Sequence, residues 1–234
     1  MGLNHGTNIV KDGLVFLVDA SNPRSYPGSG TICNDLKSIT TGSFQGTGIF
    51  EDTNGGVFAM DGATEYIQFQ PYSGFNFGTN LWTIGIWVYP TGGATGFTPL
   101  WVIAGYSGGS SSNGFALYKR ADNTLHLYNP AENDQTSIAL SLNEWNYIVT
   151  TRKSSTEADF YIFNSTNSLQ TETETISSGG NWGNSTLNSY FGKTNTSSGD
   201  QYYGKIGPYQ VYNRSLSSNE ITQNYNALKS RFGL

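Results

Sequence analysis

Ten residues, LWTIGIWVYP from Leu81 to Pro90, leave the rest of the chain little freedom. Strand alternation puts Trp82, Ile84, Ile86 and Val88 on one face and Thr83, Gly85, Trp87 and Tyr89 on the other. Both faces are largely apolar, so this strand must lie centrally in a sheet that is covered on both sides. One cover is written at the C-terminus. Ser217 can cap a helix, Glu220 stands at the capping-box spacing, and Ile221, Tyr225, Leu228 and Phe232 form one stripe. Gly233 is a natural stop, so the pattern predicts a helix over about 217–232 that docks on a sheet.

The remaining patterns are strands and turns. LVFLVD (Leu14–Asp19) is a short apolar run that fits a strand buried on both faces, and Pro23, Pro27, Gly28 and Gly30 break the chain after it. VFAMDGATEYIQF (Val57–Phe69) reads as a hairpin that turns at Asp61-Gly62. Phe115–Tyr118 and Leu125–Tyr128 flank the turn Ala121–Thr124, while Asn143–Arg152 and Ala158–Asn164 form a further pair. Ile206–Tyr212 alternates up to the break at Asn213-Arg214. With 29 glycines, 15 Tyr, 13 Phe and 5 Trp against only 12% charged residues, the chain suits many short strands joined by Gly-rich turns, and not disorder. A length of 234 residues can bury one large β core. The Gly/Ser stretches fall between strands, so residues 13–234 are expected to form a single domain. Residues 1–12 are expected to be an extended arm available to a neighbouring subunit.

Several functions are disfavoured. Net charge is −5 and the basic pairs Lys119-Arg120 and Arg152-Lys153 are isolated, so no basic footprint for nucleic acid exists. Cys33 is the single cysteine, and His5 and His126 have no metal-ligand spacing. No apolar run reaches membrane-spanning length, so no membrane insertion is expected. MGLNHGTNIVKDG lacks the features of a signal peptide, and Gly6 stands where the myristoylation pattern wants Ser or Thr. The N-x-[ST] triplets at Asn164, Asn184, Asn195 and Asn213 read as polar turns.

VYNRSLSSNEI followed by a short helix resembles the end of laminin-G-like, concanavalin A-like jelly rolls. The extended tail NYNALKSRFGL is most similar to members found in virion proteins of tailed phages, particularly aquatic ones. The opening GLVFLVDASNPRSYPGSG resembles the first strand of those phage modules. ICNDLKS keeps their Asp-Leu as Asp35-Leu36 but lacks the usual Trp and Gly. LWTIGIWV resembles the family's F-T-I-S-x-W-V strand, and WNYIVTT its W-x-H-V-A-x-T strand, with Tyr147 in place of His. The resemblance implies an all-β, two-sheet antiparallel jelly-roll sandwich with a short C-terminal helix. It also implies a capsid-decoration or fibre protein on a virion surface, assembled in the host cytoplasm. Its partners would be other virion proteins, further copies of the chain, and host cell-surface polysaccharide.

Calcium occurs in laminin-G-like folds, which makes Asp61 a candidate calcium ligand, although an Asp before Gly also builds its own turn. No cofactor is otherwise required. Concanavalin A-like folds include glycosidases that carry alternating carboxylates along one strand. Glu172 and Glu174 in QTETETI are the one comparable pair; polar neighbours leave nothing to raise a pKa, and the segment reads as a charged, exposed edge strand. No enzymatic activity is expected. Sugars are held by aromatic faces with Asn, Asp or Gln supplying hydrogen bonds. The loop aromatics Trp101, Tyr106, Trp182, Tyr202 and Tyr203 are the expected glycan ligands.

Overall fold

The computed structural model describes residues 8–47, 50–92, 96–103, 114–129, 132–166, 169–176, 181–183, 186–194 and 201–234. Among the described residues sixteen strands follow in chain order: β1 (Leu14–Val18), β2 (Ile32–Asn34), β3 (Thr41–Gln45), β4 (Phe50–Glu51), β5 (Val57–Asp61), β6 (Tyr66–Phe69), β7 (Trp82–Pro90), β8 (Thr98–Ile103), β9 (Phe115–Lys119), β10 (Thr124–Asn129), β11 (Glu132–Ala139), β12 (Asn146–Arg152), β13 (Glu157–Phe163), β14 (Gln170–Thr175), β15 (Ser189–Phe191) and β16 (Tyr203–Tyr212). Helix α1 (Ser218–Leu228) and a final 3-10 turn, Lys229–Phe232, close the chain. Sheet A runs β14-β13-β12-β7-β16-β5-β4, with β1 also on β16; sheet B runs β11-β10-β9-β8-β15-β6-β3-β2. The pairings within both sheets are antiparallel, so the two sheets form a jelly-roll sandwich.

β7 is central, between β12 and β16. Trp82, Ile84, Ile86 and Val88 enter the core between the sheets, and Trp87 turns to the other side under the helix. There Phe232 stacks on Trp87 with ring centres 4.3 Å apart, and Tyr147 lies 5.0 Å away on the same indole. Gly85 makes the room: a Cβ there would come within 2.6 Å of the Tyr147 hydroxyl. The helix starts as its sequence predicts. Ser217 Oγ accepts from Glu220 N–H, and the Glu220 carboxylate accepts from Ser217 N–H at 2.9 Å. The last turn tightens to a 3-10 turn and ends at Gly233 with φ 75°. In β16, Pro208 lies where the register with β7 shifts between Ile206 and Tyr209, a position that tolerates a missing N–H.

Two expectations are corrected here. Val57–Phe69 is not a hairpin: β5 belongs to sheet A and β6 to sheet B, so Asp61–Glu65 is a corner between the sheets. An Asp-Gly turn serves either purpose, and sequence alone does not choose between them. Residues 8–12 do not stand away from the domain. Val10 N–H donates to Asn224 Oδ1 at 2.7 Å, Gln223 Nε2 donates to Asn8 O at 2.7 Å, and Tyr212 Oη donates to Val10 O at 3.1 Å. Residues 1–7 of the expected arm lie outside the described residues.

Candidate functional site

Three of the five aromatic residues expected to hold sugar are core residues. Trp101 and Trp182 are fully buried and Tyr202 is 1% exposed. Trp182 packs on Trp82 and Phe115, with ring centres 5.3 and 5.1 Å away, and the Arg152 guanidinium sits 5.8 Å over it. Its backbone bridges to Gly78, which holds the segment across the end of the sandwich. Trp101 meets Phe115 edge-on at 5.4 Å, and Tyr202 Oη donates to Lys205 O at 3.2 Å. Trp101 lies within strand β8 and not in a loop; Trp182 and Tyr202 have the polar neighbours of a sugar site, but all three rings belong to the core. Tyr203 is exposed, at 48%. Tyr106 lies outside the described residues.

Asp61 is a turn builder. Its Oδ1 accepts N–H bonds from Ala63 and Thr64 at 2.8 Å and from Glu65 at 3.1 Å, and its Oδ2 accepts from Thr64 Oγ1 at 3.0 Å. Partial desolvation pushes its pKa up, but these hydrogen bonds outweigh it and hold the carboxyl at about 2. Three of these four bonds fall on Oδ1, so the carboxylate is oriented by its own turn. Among the described residues no group of three or more His, Cys, Asp or Glu could hold a metal ion. The residues present therefore do not fit a calcium site at Asp61.

Glu172 and Glu174 lie on β14, the outer strand of sheet A, as expected. Both are half-buried while Thr171, Thr173 and Thr175 are exposed, so the carboxylates face sheet B instead of solvent. The expectation of unshifted carboxyls is also corrected. Desolvation, a hydrogen bond to Glu172, and repulsion from Glu172 and Asp134 raise Glu174 to about 7. Glu172 is held below its ordinary value: desolvation opposes this, but hydrogen bonds from Glu174, Ser137 and Ile138 prevail.

The outer face of sheet B carries the arrangement best suited to a ligand. Its register aligns Ser43, Gln68, Tyr190, Val102, Ala116 and Tyr128 in one transverse row. Tyr190 and Tyr128 pack against the small residues Val102 and Ala116 between them, and each ring stays half-exposed. Three strand spacings separate them, about 14 Å at the backbone. Tyr66, two residues from Gln68 and so on the same face of β6, puts its ring centre 6.3 Å from that of Tyr190 at an interplanar angle of 50°. Lys193 Nζ lies 4.3 Å over the Tyr66 ring. Gln45 Nε2 donates to Ser43 Oγ at 3.2 Å, and Ser43, Gln45 and Gln68 are all half-exposed. The face thus offers rigid aromatic surfaces beside amide and hydroxyl groups that both donate and accept. The alternation in YIQF and SYFGK is visible in the sequence, but only the sheet order brings Tyr66 beside Tyr190.

A concavity of about 410 Å³ lies elsewhere and is lined by Arg24, Asn34, Asp35, Ile39 and Gln70 among others. Its buried carboxylate is committed to backbone: Asp35 Oδ1 accepts from Leu17 N–H at 2.9 Å and from Lys37 N–H at 3.0 Å.

Two antiparallel sheets of this order, closed by one helix, define a concanavalin A-like jelly roll. The model of the concanavalin A-like lectin/glucanases superfamily, laminin G type, matches residues 61–222, and the chain belongs to that family. No curated protein matches the chain by sequence. Among solved structures, Trypanosoma rangeli sialidase in complex with sialic acid is similar at TM-score 0.64 and 15% identity, over 97% of this chain and 36% of that one. The receptor-binding domain of botulinum neurotoxin type G matches at TM-score 0.65 and 16% identity, over 92% of this chain and 51% of that one. That of the C/D mosaic serotype matches at 0.66 and 12%, over the same shares. The chain spans well under half of the sialidase and about half of each toxin domain. At these identities the likeness is one of fold.

Proposed function

We propose that this chain is a non-catalytic carbohydrate-adhesion module that contacts cell-surface polysaccharide through the Tyr66–Tyr190 face of sheet B. One observation carries the reading: two half-exposed tyrosine rings 6.3 Å apart stand beside Gln68 on a rigid sheet. Sugar rings present C–H faces that pack on such aromatics, and their hydroxyls need partners that donate and accept. The face lies on the side of the sandwich opposite helix α1, so a partner bound at the helix would leave it free. The non-catalytic reading is supported by Glu172, whose carboxylate is engaged by β11 donors and not directed at an open cleft. The structural relatives, a sialidase in complex with sialic acid and two neurotoxin receptor-binding domains, are compatible with it.

The finer placement, a capsid-decoration or fibre component on a virion, rests on the resemblance of the tail NYNALKSRFGL to phage virion modules. Other virion proteins and further copies of the chain are its proposed partners there. Screening the purified protein on a polysaccharide array, with and without added calcium, tests the adhesion reading. The expected result is at least one binder whose signal does not depend on calcium; no binder in either condition contradicts it. Antibody labelling of intact particles tests the placement, and particles without label overturn it.

A further inference from the structure

The loop between β2 and β3 is tied down by its backbone. Ser38 N–H donates to Asp35 O at 2.8 Å, Asp35 N–H to Thr40 O at 3.2 Å, and Leu36 N–H to Leu17 O of β1 at 2.8 Å. Asn34 pairs with Thr41 where the loop begins and ends, and Gln70 N–H donates to Thr41 O at 3.1 Å. Asn34, Thr41 and Gln70 therefore stand side by side, at the ends of β2 and β3 and just past β6. With Arg24 and Asp35 they line the concavity of about 410 Å³. That volume is in the range of small-molecule sites, roughly 300–1,000 Å³, and gives room for a single sugar ring.

The polar groups of this lining keep bonding capacity. Asp35 is 1% exposed. Its Oδ1 takes the two short backbone bonds from Leu17 and Lys37, whereas Oδ2 accepts only from Ile39 N–H, at a long 3.4 Å. That second oxygen can accept from a further donor. Arg24 is exposed and pairs with no carboxylate among the described residues. Its guanidinium offers five N–H donors in a planar fork. Asn34 commits its side-chain amide only to a 3.5 Å bond with Arg24 O, and Gln70 is exposed. Both amides donate and accept. Ile39, 53% exposed, adds an apolar surface to the lining.

We propose that this concavity is a polyol site that holds one neutral sugar ring by a pair of adjacent hydroxyls. One hydroxyl donates to Asp35 Oδ2 and accepts from the Arg24 guanidinium. The other exchanges hydrogen bonds with the Asn34 and Gln70 amides, and the C–H face of the ring packs on Ile39. A phosphate or carboxylate ligand would pair with Arg24 but meet the charge of Asp35, and a cation would meet Arg24. Hydroxyls donate as well as accept, so a polyol suits both groups at once. Gln70 lies four residues beyond Tyr66, about 13 Å of extended chain. The site is therefore separate from the tyrosine face and does not rest on the adhesion reading.

Heteronuclear amide NMR of the full chain, titrated with the methyl glycosides of glucose, galactose, mannose and fucose, tests the assignment. At least one glycoside is expected to shift the side-chain amide signals of Asn34 and Gln70 saturably, with a Kd on the order of 1 mM. Arg24→Ala changes an exposed side chain and should keep the fold while weakening that binding about tenfold or more. Tyr66→Ala/Tyr190→Ala should leave it unchanged, which separates this site from the adhesion face. The proposal is overturned if none of the glycosides moves these signals, or if Arg24→Ala retains full affinity. It is also overturned if the tyrosine double variant abolishes the shifts. Inorganic phosphate or glucuronate acting at a lower concentration than every glycoside would mark an anion site and overturn it too.

Discussion

Arg231 Nη1 lies 2.8 Å from Oδ1 and 3.0 Å from Oδ2 of Asp19, so the final turn of the chain is bound to the residue that follows the first strand. The same guanidinium donates to Asn54 O and Gly56 O, and Asn54 Nδ2 returns a bond to Arg231 O at 2.9 Å. Both side chains are largely buried, at 16% and 17% exposure, so water screens this pair less than a surface one. Arg231→Ala is expected to cost about 2–3 kcal/mol in urea denaturation, because it leaves Asp19 and two carbonyls without their donor. Arg231→Lys should recover only part of that, since one ammonium cannot span the same acceptors. An Arg231→Ala variant as stable as wild type would show that the helix is held by its aromatic stripe alone.

The pH dependence of stability has opposing contributions. Hydrogen bonds and charge from Arg214, with help from Ser217, hold Glu220 at about 2. Asp61 is also held at about 2 by its corner. Depressed values contribute stability above the unfolded pKa, and that contribution is lost as pH falls through about 2. Glu174 works the other way, losing its contribution as pH rises from 4.5 through about 7. The urea midpoint is therefore expected to peak near pH 5 and decline on both sides. Glu174→Gln should remove the decline between pH 5 and 7 and leave the acid limb unchanged. Equal slopes in variant and wild type would contradict the assignment.

Helix α1 depends on its cap. Ser217→Ala removes the acceptor for Glu220 N–H and should cost about 1 kcal/mol by thermal or urea unfolding. A cost within error of zero would mean that the Arg214–Glu220 pair at 2.6 Å fixes the helix start unaided.

Trp182 separates core from site. Trp182→Ala empties a space bounded by Trp82, Phe115 and Arg152 and should cost about 3–5 kcal/mol. Any effect on sugar binding should follow the loss of folded protein and disappear where the variant is fully folded. Reduced binding by fully folded Trp182→Ala protein would return this residue to the ligand site.

The architecture was legible where the pattern is local. LWTIGIWVYP announces a strand covered on both faces, and Ser217 through Gly233 spell a capped helix with one apolar stripe. What was not legible depends on which strands become neighbours. Asp61-Gly62 turns a corner between sheets as readily as a hairpin, so β5 and β6 separated without any local sign. Trp182 and Tyr202 sit among polar residues outside the longer strands, yet both are core rings, and Trp101 belongs to the buried strand β8, an inner strand of sheet B. The Tyr66–Tyr190 pair exists only because β15 lies beside β6. Glu174 owes its raised pKa first to burial, then to Glu172 and last to Asp134, and burial on an outer strand is set by what packs over it, not by its neighbours in sequence.

The proposed adhesion face on sheet B holds polysaccharide through Tyr66 and Tyr190. Affinity electrophoresis of wild type against the double variant Tyr66→Ala/Tyr190→Ala, with a polysaccharide that the array identifies, tests it most directly. Loss of the two stacking rings should weaken binding about tenfold or more while the thermal midpoint changes little. Retention of full affinity by the folded double variant would contradict the claim and place any sugar site elsewhere on the sandwich.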